Sequence, residues 1–118
     1  MSGVTSALDL YQRGNDLFVR GQWAEAAAAY QAALADASDE LAPDLYENLG
    51  LALWKLGRWR PAARALLRTL DGEPTRREQT LRVLISCLFR DGRVLDGERL
   101  LELYQARFGP HPEGWKRT

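Results

Sequence analysis

Reactive side chains are scarce in this sequence. It holds one cysteine, Cys87, and one histidine, His111, which excludes an internal disulfide and any metal site built from paired Cys or His ligands. It contains no glycine-rich phosphate loop, no nucleophile elbow around a serine and no Asp-rich calcium loop. His111 lies between two prolines in a short tail, whereas a catalytic base needs a fixed partner. The expectation is therefore no enzyme, no metal and no cofactor. No apolar run approaches the roughly 18 residues that a membrane span requires. Met1 to Leu10 also lacks the basic start and long apolar core of a signal peptide. These absences point away from membranes and to the cytoplasm. Net charge is zero, so the broad positive field of a nucleic-acid binder is missing as well.

What remains is ordinary folding material. With 118 residues, 46% hydrophobic and 27% charged, the chain has the composition of one folded domain with a modest core. Cys87 sits in LISCLF and reads as a small buried hydrophobe. Charge is uneven along the chain: residues 1–50 carry two arginines against eight carboxylates, a net of −6, which leaves +6 on residues 51–118. Fourteen of the sixteen basic residues are arginine, a bias that, with abundant Ala, Leu and Gly, reads as GC-rich bacterial coding.

The segment from Pro43 to Pro74 has the clearest pattern. Leu45, Leu49, Leu53 and Leu56 fall at helical spacing, and Ala62, Ala63, Leu66, Leu67 and Leu70 do so again after a break at Gly57. This predicts two antiparallel helices, each with one apolar face that needs neighbours. Placing Gly57 on Gly21 aligns Gly50 with Gly14, Trp59 with Trp23 and Ala62 with Ala26; Gly92 supplies a third, looser copy. The turn glycines thus recur at intervals of 36 and 35 residues, which marks a repeat architecture. The pattern predicts six helices. They run from Ser6 (capped with Asp9) to Arg20, from Gln22 through the alanine run, from Pro43 to the Gly57 turn, from Trp59 to Asp71–Pro74, from a Thr75–Glu78 capping box to Arg90, and from Arg93 to Phe108. Gly97 reads as a weak point of about 1 kcal/mol in the last helix.

The residues at fixed offsets resemble the tetratricopeptide repeat family. Leu10, Tyr46 and Leu81 open the first helix of each unit, Gly14 and Gly50 follow four residues later, and G-x-[W/V] marks each turn. Ala26, Ala62 and Gly97 stand in the second helix, followed by Tyr30, Leu66 and Leu101, and Pro74 and Pro110 close two units. The third unit departs from the pattern, with Ile85 at the small-residue position and Tyr104 at an alanine position, so its two helices should sit further apart. The resemblance implies an all-α, right-handed superhelical solenoid of three antiparallel helix pairs. It forms a single domain over 1–118, with units of about 7–40, 43–75 and 76–110 and a tail at 111–118.

In such a solenoid the first helix of each unit lines a concave groove. The resemblance then places Tyr11, Asn15 and Phe18, Asn48, Leu51 and Trp54, and Arg82, Ser86 and Phe89 along that groove. Phe18, Trp54 and Phe89 each stand three residues before a turn glycine and form an aromatic stripe, the composition of a peptide-binding surface, with packing between neighbouring helices as the alternative. Asn15 and Asn48 occupy positions used by domains that clamp a terminal carboxylate, but Tyr11, Gln79 and Val83 stand where basic partners belong. An extended or helical segment is the better occupant. On the opposite side Arg60, Arg64 and Arg68 form a stripe at i, i+4, i+8, of a spacing that suits nucleic-acid phosphates or an acidic protein surface, but a solvated face is the better reading, because no aromatic residues interleave it and net charge is zero.

The expected function is a non-enzymatic interaction module for a protein or peptide partner. Two alternatives accompany it. From Leu66 onward the sequence resembles, over less than half its length, the tetratricopeptide-like activation domain of bacterial transcription activators, which implies a place in a regulatory complex. The outer face of the last helix, followed by a tail too short to form a capping helix, suggests a homo-oligomer through that C-terminal helix unless Trp115 folds back on it.

Overall fold

The computed structural model describes residues 6–69 and 78–110. Six helices follow one another: α1 (Ala7–Val19), α2 (Trp23–Leu34), α3 (Ala42–Lys55), α4 (Trp59–Thr69), α5 (Glu78–Arg90) and α6 (Val94–Phe108). No strand occurs among the described residues. The chain is a superhelical solenoid of three helix pairs, α1/α2, α3/α4 and α5/α6, joined by packing of α2 on α3 and of α4 on α5. It measures 53 × 27 × 21 Å. No described helix is long and apolar enough to cross a membrane.

The three turns within the pairs are built identically. Gly21, Gly57 and Gly92 have φ of 77°, 75° and 83°, a left-handed conformation that costs a residue with a Cβ but not glycine. Each glycine N–H bonds to the carbonyl of Phe18, Trp54 or Phe89, and the next N–H bonds to Leu17, Leu53 or Leu88. This double closure satisfies the last carbonyls of the helix and reverses the chain. At the start of α1 the Ser6 hydroxyl accepts from the Asp9 N–H at 3.1 Å, as expected from the capping pattern. Helix α3 begins one residue before Pro43, which tolerates the lost N–H in that first turn. The sequence-predicted cap at Thr75, the close at Pro74 and the tail containing His111 and Trp115 lie outside the described residues.

Close approach within a pair depends on small residues. A Cβ added at Gly14 would stand 2.5 Å from the Tyr30 ring, and one at Gly50 would stand 2.5 Å from Leu66 Cγ. Both separations are far inside contact distance. In the third pair Ile85 occupies the equivalent place, and α5 and α6 approach each other less extensively than α1 and α2 or α3 and α4. Tyr104, at the position of Ala33 and Thr69, fills the space so created; it is fully buried and its hydroxyl donates to Glu78 Oε1 at 2.8 Å. Burial, then the neighbouring Glu78 carboxylate, pushes the Tyr104 phenol pKa up. Gly97 has a role beyond the weakness expected of it. A Cβ there would lie 3.1 Å from the Phe89 ring, so the missing side chain lets Phe89 pack across the pair.

Two apolar clusters result. Ala26, Ala27, Tyr30 and Ala33 of α2 meet Leu45, Leu49 and Ala52 of α3. Ala62, Ala63 and Leu66 of α4 meet Leu81, Leu84, Ile85, Cys87 and Leu88 of α5. Cys87 is fully buried, as its apolar setting predicted, and burial pushes its thiol pKa up to about 12.

Candidate functional site

The helices that open each unit bring Asn15 of α1 and Asn48 of α3 together. Asn15 Oδ1 accepts two bonds, one from the Tyr30 hydroxyl at 2.7 Å and one from Asn48 Nδ2 at 3.0 Å. Three helices are tied at one oxygen. Burial, then the adjacent Tyr11, pushes the Tyr30 pKa up to about 12, against a smaller opposing effect of the Asn48 amide. Tyr30 therefore stays a donor at any physiological pH. With those atoms engaged, the Asn15 amino group and the Asn48 carbonyl have no partner among the described residues.

Both amides line a concave cavity of about 180 Å³ together with Phe18, Val19, Tyr30 and Leu51. Its walls are apolar except for the amides and the phenol. Phe18 is held edge-on against Trp23, with ring centroids 4.9 Å apart. Tyr11 is half-buried and lies 6.2 Å from the Tyr30 ring.

Further along the groove the sequence-predicted residues divide. Trp54 is half-buried, packs partly on the second cluster and has Lys55 Nζ 5.1 Å from its ring. Glu47 accepts a hydrogen bond from Thr80 Oγ1, which joins α3 to α5. Arg82 is half-buried. Ser86 and Phe89 are buried, at 6% and 9% exposure, because Phe89 fills the space over Gly97 and Arg90 Nε reaches back to Ser86 Oγ at 3.4 Å. The aromatic stripe thus opens to solvent at Phe18 and Trp54 and closes at Phe89, where the packing alternative describes the ring better.

The arginine stripe on α4 is largely engaged within the chain. Arg60 Nε bonds Asp91 Oδ2 at 3.1 Å, and Arg68 lies 5.1 Å over the Tyr46 ring. Arg64 is exposed at the rim of a second cavity of about 340 Å³ between α2 and α4, floored by Tyr46, Leu49 and Ala65. Neither this cavity nor the part of Tyr30 in the amide cluster was anticipated from the sequence. The signal for Tyr30 was present, since a hydroxyl stands where the other two units carry Leu66 and Leu101.

Among the described residues no group of His, Cys, Asp or Glu is placed to hold a metal ion.

Comparison with known proteins agrees with this architecture. Residues 14–57 match the family model described as TPR repeat, the tetratricopeptide repeat. No curated protein matches the sequence. Among solved structures the chain is similar to the Yersinia enterocolitica type III secretion chaperone SycD in complex with a peptide of the translocator YopD. The TM-score is 0.72 at 18% sequence identity, over 95% of this chain and 85% of that one. At that identity the likeness concerns the fold.

Proposed function

The chain is a tetratricopeptide-repeat solenoid, and from that premise we propose that it is a non-catalytic module whose concave groove holds a segment of a partner protein. The amide cluster carries this reading. A donor on Asn15 and an acceptor on Asn48, side by side on one cavity, match the carbonyl and N–H that one residue of an extended segment presents on the same side. The apolar walls at Phe18, Val19 and Leu51 suit one medium-sized apolar side chain of the same segment. Trp54 extends the surface as an aromatic anchor. Recognition by neutral amides, with no basic pair to neutralise a terminal carboxylate, favours an internal segment, extended or helical. The fold neighbour was solved with a translocator peptide, and that precedent supports a peptide-binding use of this architecture.

Asn15→Asp is the most selective test. It keeps the oxygen that Tyr30 and Asn48 bond to and replaces the outward donor with an acceptor. Capture of the partner from the protein's own cells should fall about tenfold or more for Asn15→Asp and Trp54→Ala, with helical circular dichroism retained. Capture equal to wild type by both variants would remove the groove from the account.

A second reading is self-association through α6. It is favoured by the exposure of Val94, Leu95 and Leu103 on that helix, at 43%, 71% and 43%.

A further inference from the structure

The repeat register supplies a control for the exposed leucines. The outward positions spaced four apart are Ala24, Ala28 and Ala32 on α2 and Arg60, Arg64 and Arg68 on α4, all exposed. At the same positions α6 carries Leu95, Arg99 and Leu103. Two leucines stand where the sister helices place alanine or arginine, with 71% and 43% of their surface open. Exposed leucine in this register is peculiar to α6.

The opposite end of the solenoid is different. Leu45, Leu49 and Ala52 form the buried face on which α3 receives α2, and Thr80, Leu84 and Cys87 are the equivalent buried residues of α5. In α1 the same register holds Asp9, Arg13 and Asp16, all exposed. Stacking α6 of one copy on α1 of the next, as successive units stack, would bury three charges. That mode of head-to-tail growth is therefore disfavoured, and pairing the same face on both copies is the arrangement that closes at two.

We propose that two copies of this chain pair through the outer face of α6 in an antiparallel, two-fold arrangement, with Arg99 of each copy against Glu102 of the other. This rests on the second reading above and specifies its geometry. Leu95, Arg99, Glu102 and Ala106 are spaced 4, 3 and 4 apart, so they form one line on the helix. Run antiparallel, that line places Leu95 against Ala106 of the second copy and Arg99 against its Glu102, twice over. Run parallel and in register, it places Arg99 on Arg99 and Glu102 on Glu102, which repel. Both charged residues are exposed, and neither has an ion-pair partner among the described residues. One helix face is a small contact, so the equilibrium is micromolar and salt-sensitive.

Sedimentation equilibrium of the full chain, from micromolar to near-millimolar concentration and at low and high salt, tests this. Wild type should reach a dimer and stop. Arg99→Glu and Glu102→Arg alone should each weaken dimerisation about tenfold. Mixed together, the two variants should form a heterodimer, because every cross-contact is then attractive; the double variant should regain the homodimer. A strictly monomeric wild type overturns self-association itself. A dimer indifferent to the charge swaps, or assembly that continues beyond two copies, overturns the arrangement while leaving self-association standing.

Discussion

Adding a single methyl group at Gly50 should loosen the best-packed helix pair. The new Cβ would stand 2.5 Å from Leu66 Cγ, 2.6 Å from its Cδ2 and 3.3 Å from the Ala62 carbonyl oxygen. Relaxed carbon contacts lie near 3.5–4.0 Å, so the helices must part by about 1 Å or Leu66 must leave its rotamer. Leu66 is fully buried, and the backbone oxygen blocks one direction of escape. Overpacking of this kind costs about 1–3 kcal/mol. Replacing glycine by alanine within a helix returns about 1 kcal/mol, which leaves a net loss of up to about 2 kcal/mol. For a chain of this size that lowers Tm by as much as roughly 10 °C, readable by circular dichroism during heating and in urea. A coupled measurement sharpens the result. Leu66→Ala alone should cost about 2–5 kcal/mol through its cavity. Combined with Gly50→Ala it should cost at least about 1 kcal/mol less than the sum, because the methyl then occupies vacated space. A Gly50→Ala protein more stable than wild type, or a strictly additive pair, would refute the close approach of α3 and α4.

Two further outcomes follow from buried protons and from the arginine stripe. The Cys87 thiol is raised from 9.0 to about 12 and the Tyr30 phenol from 10.0 to about 12. The unfolded chain therefore gives up these protons first. Their contribution to stability is intact below about pH 9 and is lost as pH rises toward about 12, and Tyr30→Phe with Cys87→Ala should flatten the decline in urea midpoints; an unchanged slope would mean that neither proton is held by burial. On α4, Arg60 is paired with Asp91 and Arg68 lies over Tyr46, so the chain alone should give no gel shift with duplex DNA at low salt. A shift that weakens with added salt would restore the nucleic-acid reading.

Helix order and turn placement were legible in the sequence because they depend on local chemistry. A glycine with positive φ is required at each turn, and apolar residues recur at helical spacing on both sides of it. The boundaries of α1, α2 and α6 fall within a residue or two of expectation for that reason. The greater separation of the third pair was legible too, since Ile85 cannot occupy the space that Gly14 and Gly50 leave open. The site was only partly legible. Asn15, Asn48 and Phe18 were placed on the groove by register, but register does not reveal that Asn15 is bonded to Tyr30 across the pair. Phe89 has the same register as Phe18 and Trp54 and a different fate, decided by the absent side chain of Gly97 on the facing helix. Arg60 likewise depends on Asp91, thirty-one residues away. Such pairings arise from packing between helices, and no periodicity within one helix encodes them.

The proposed groove puts a partner segment against the amides of Asn15 and Asn48. Side-chain amide resonances, followed by two-dimensional NMR as the captured partner's segment is titrated into labelled protein, test it most directly. On binding, the Asn15 and Asn48 amides and the Trp54 indole N–H should shift together and saturably. Shifts confined to the Arg60, Arg64 and Arg68 guanidinium groups, with the asparagine amides unmoved, would contradict it.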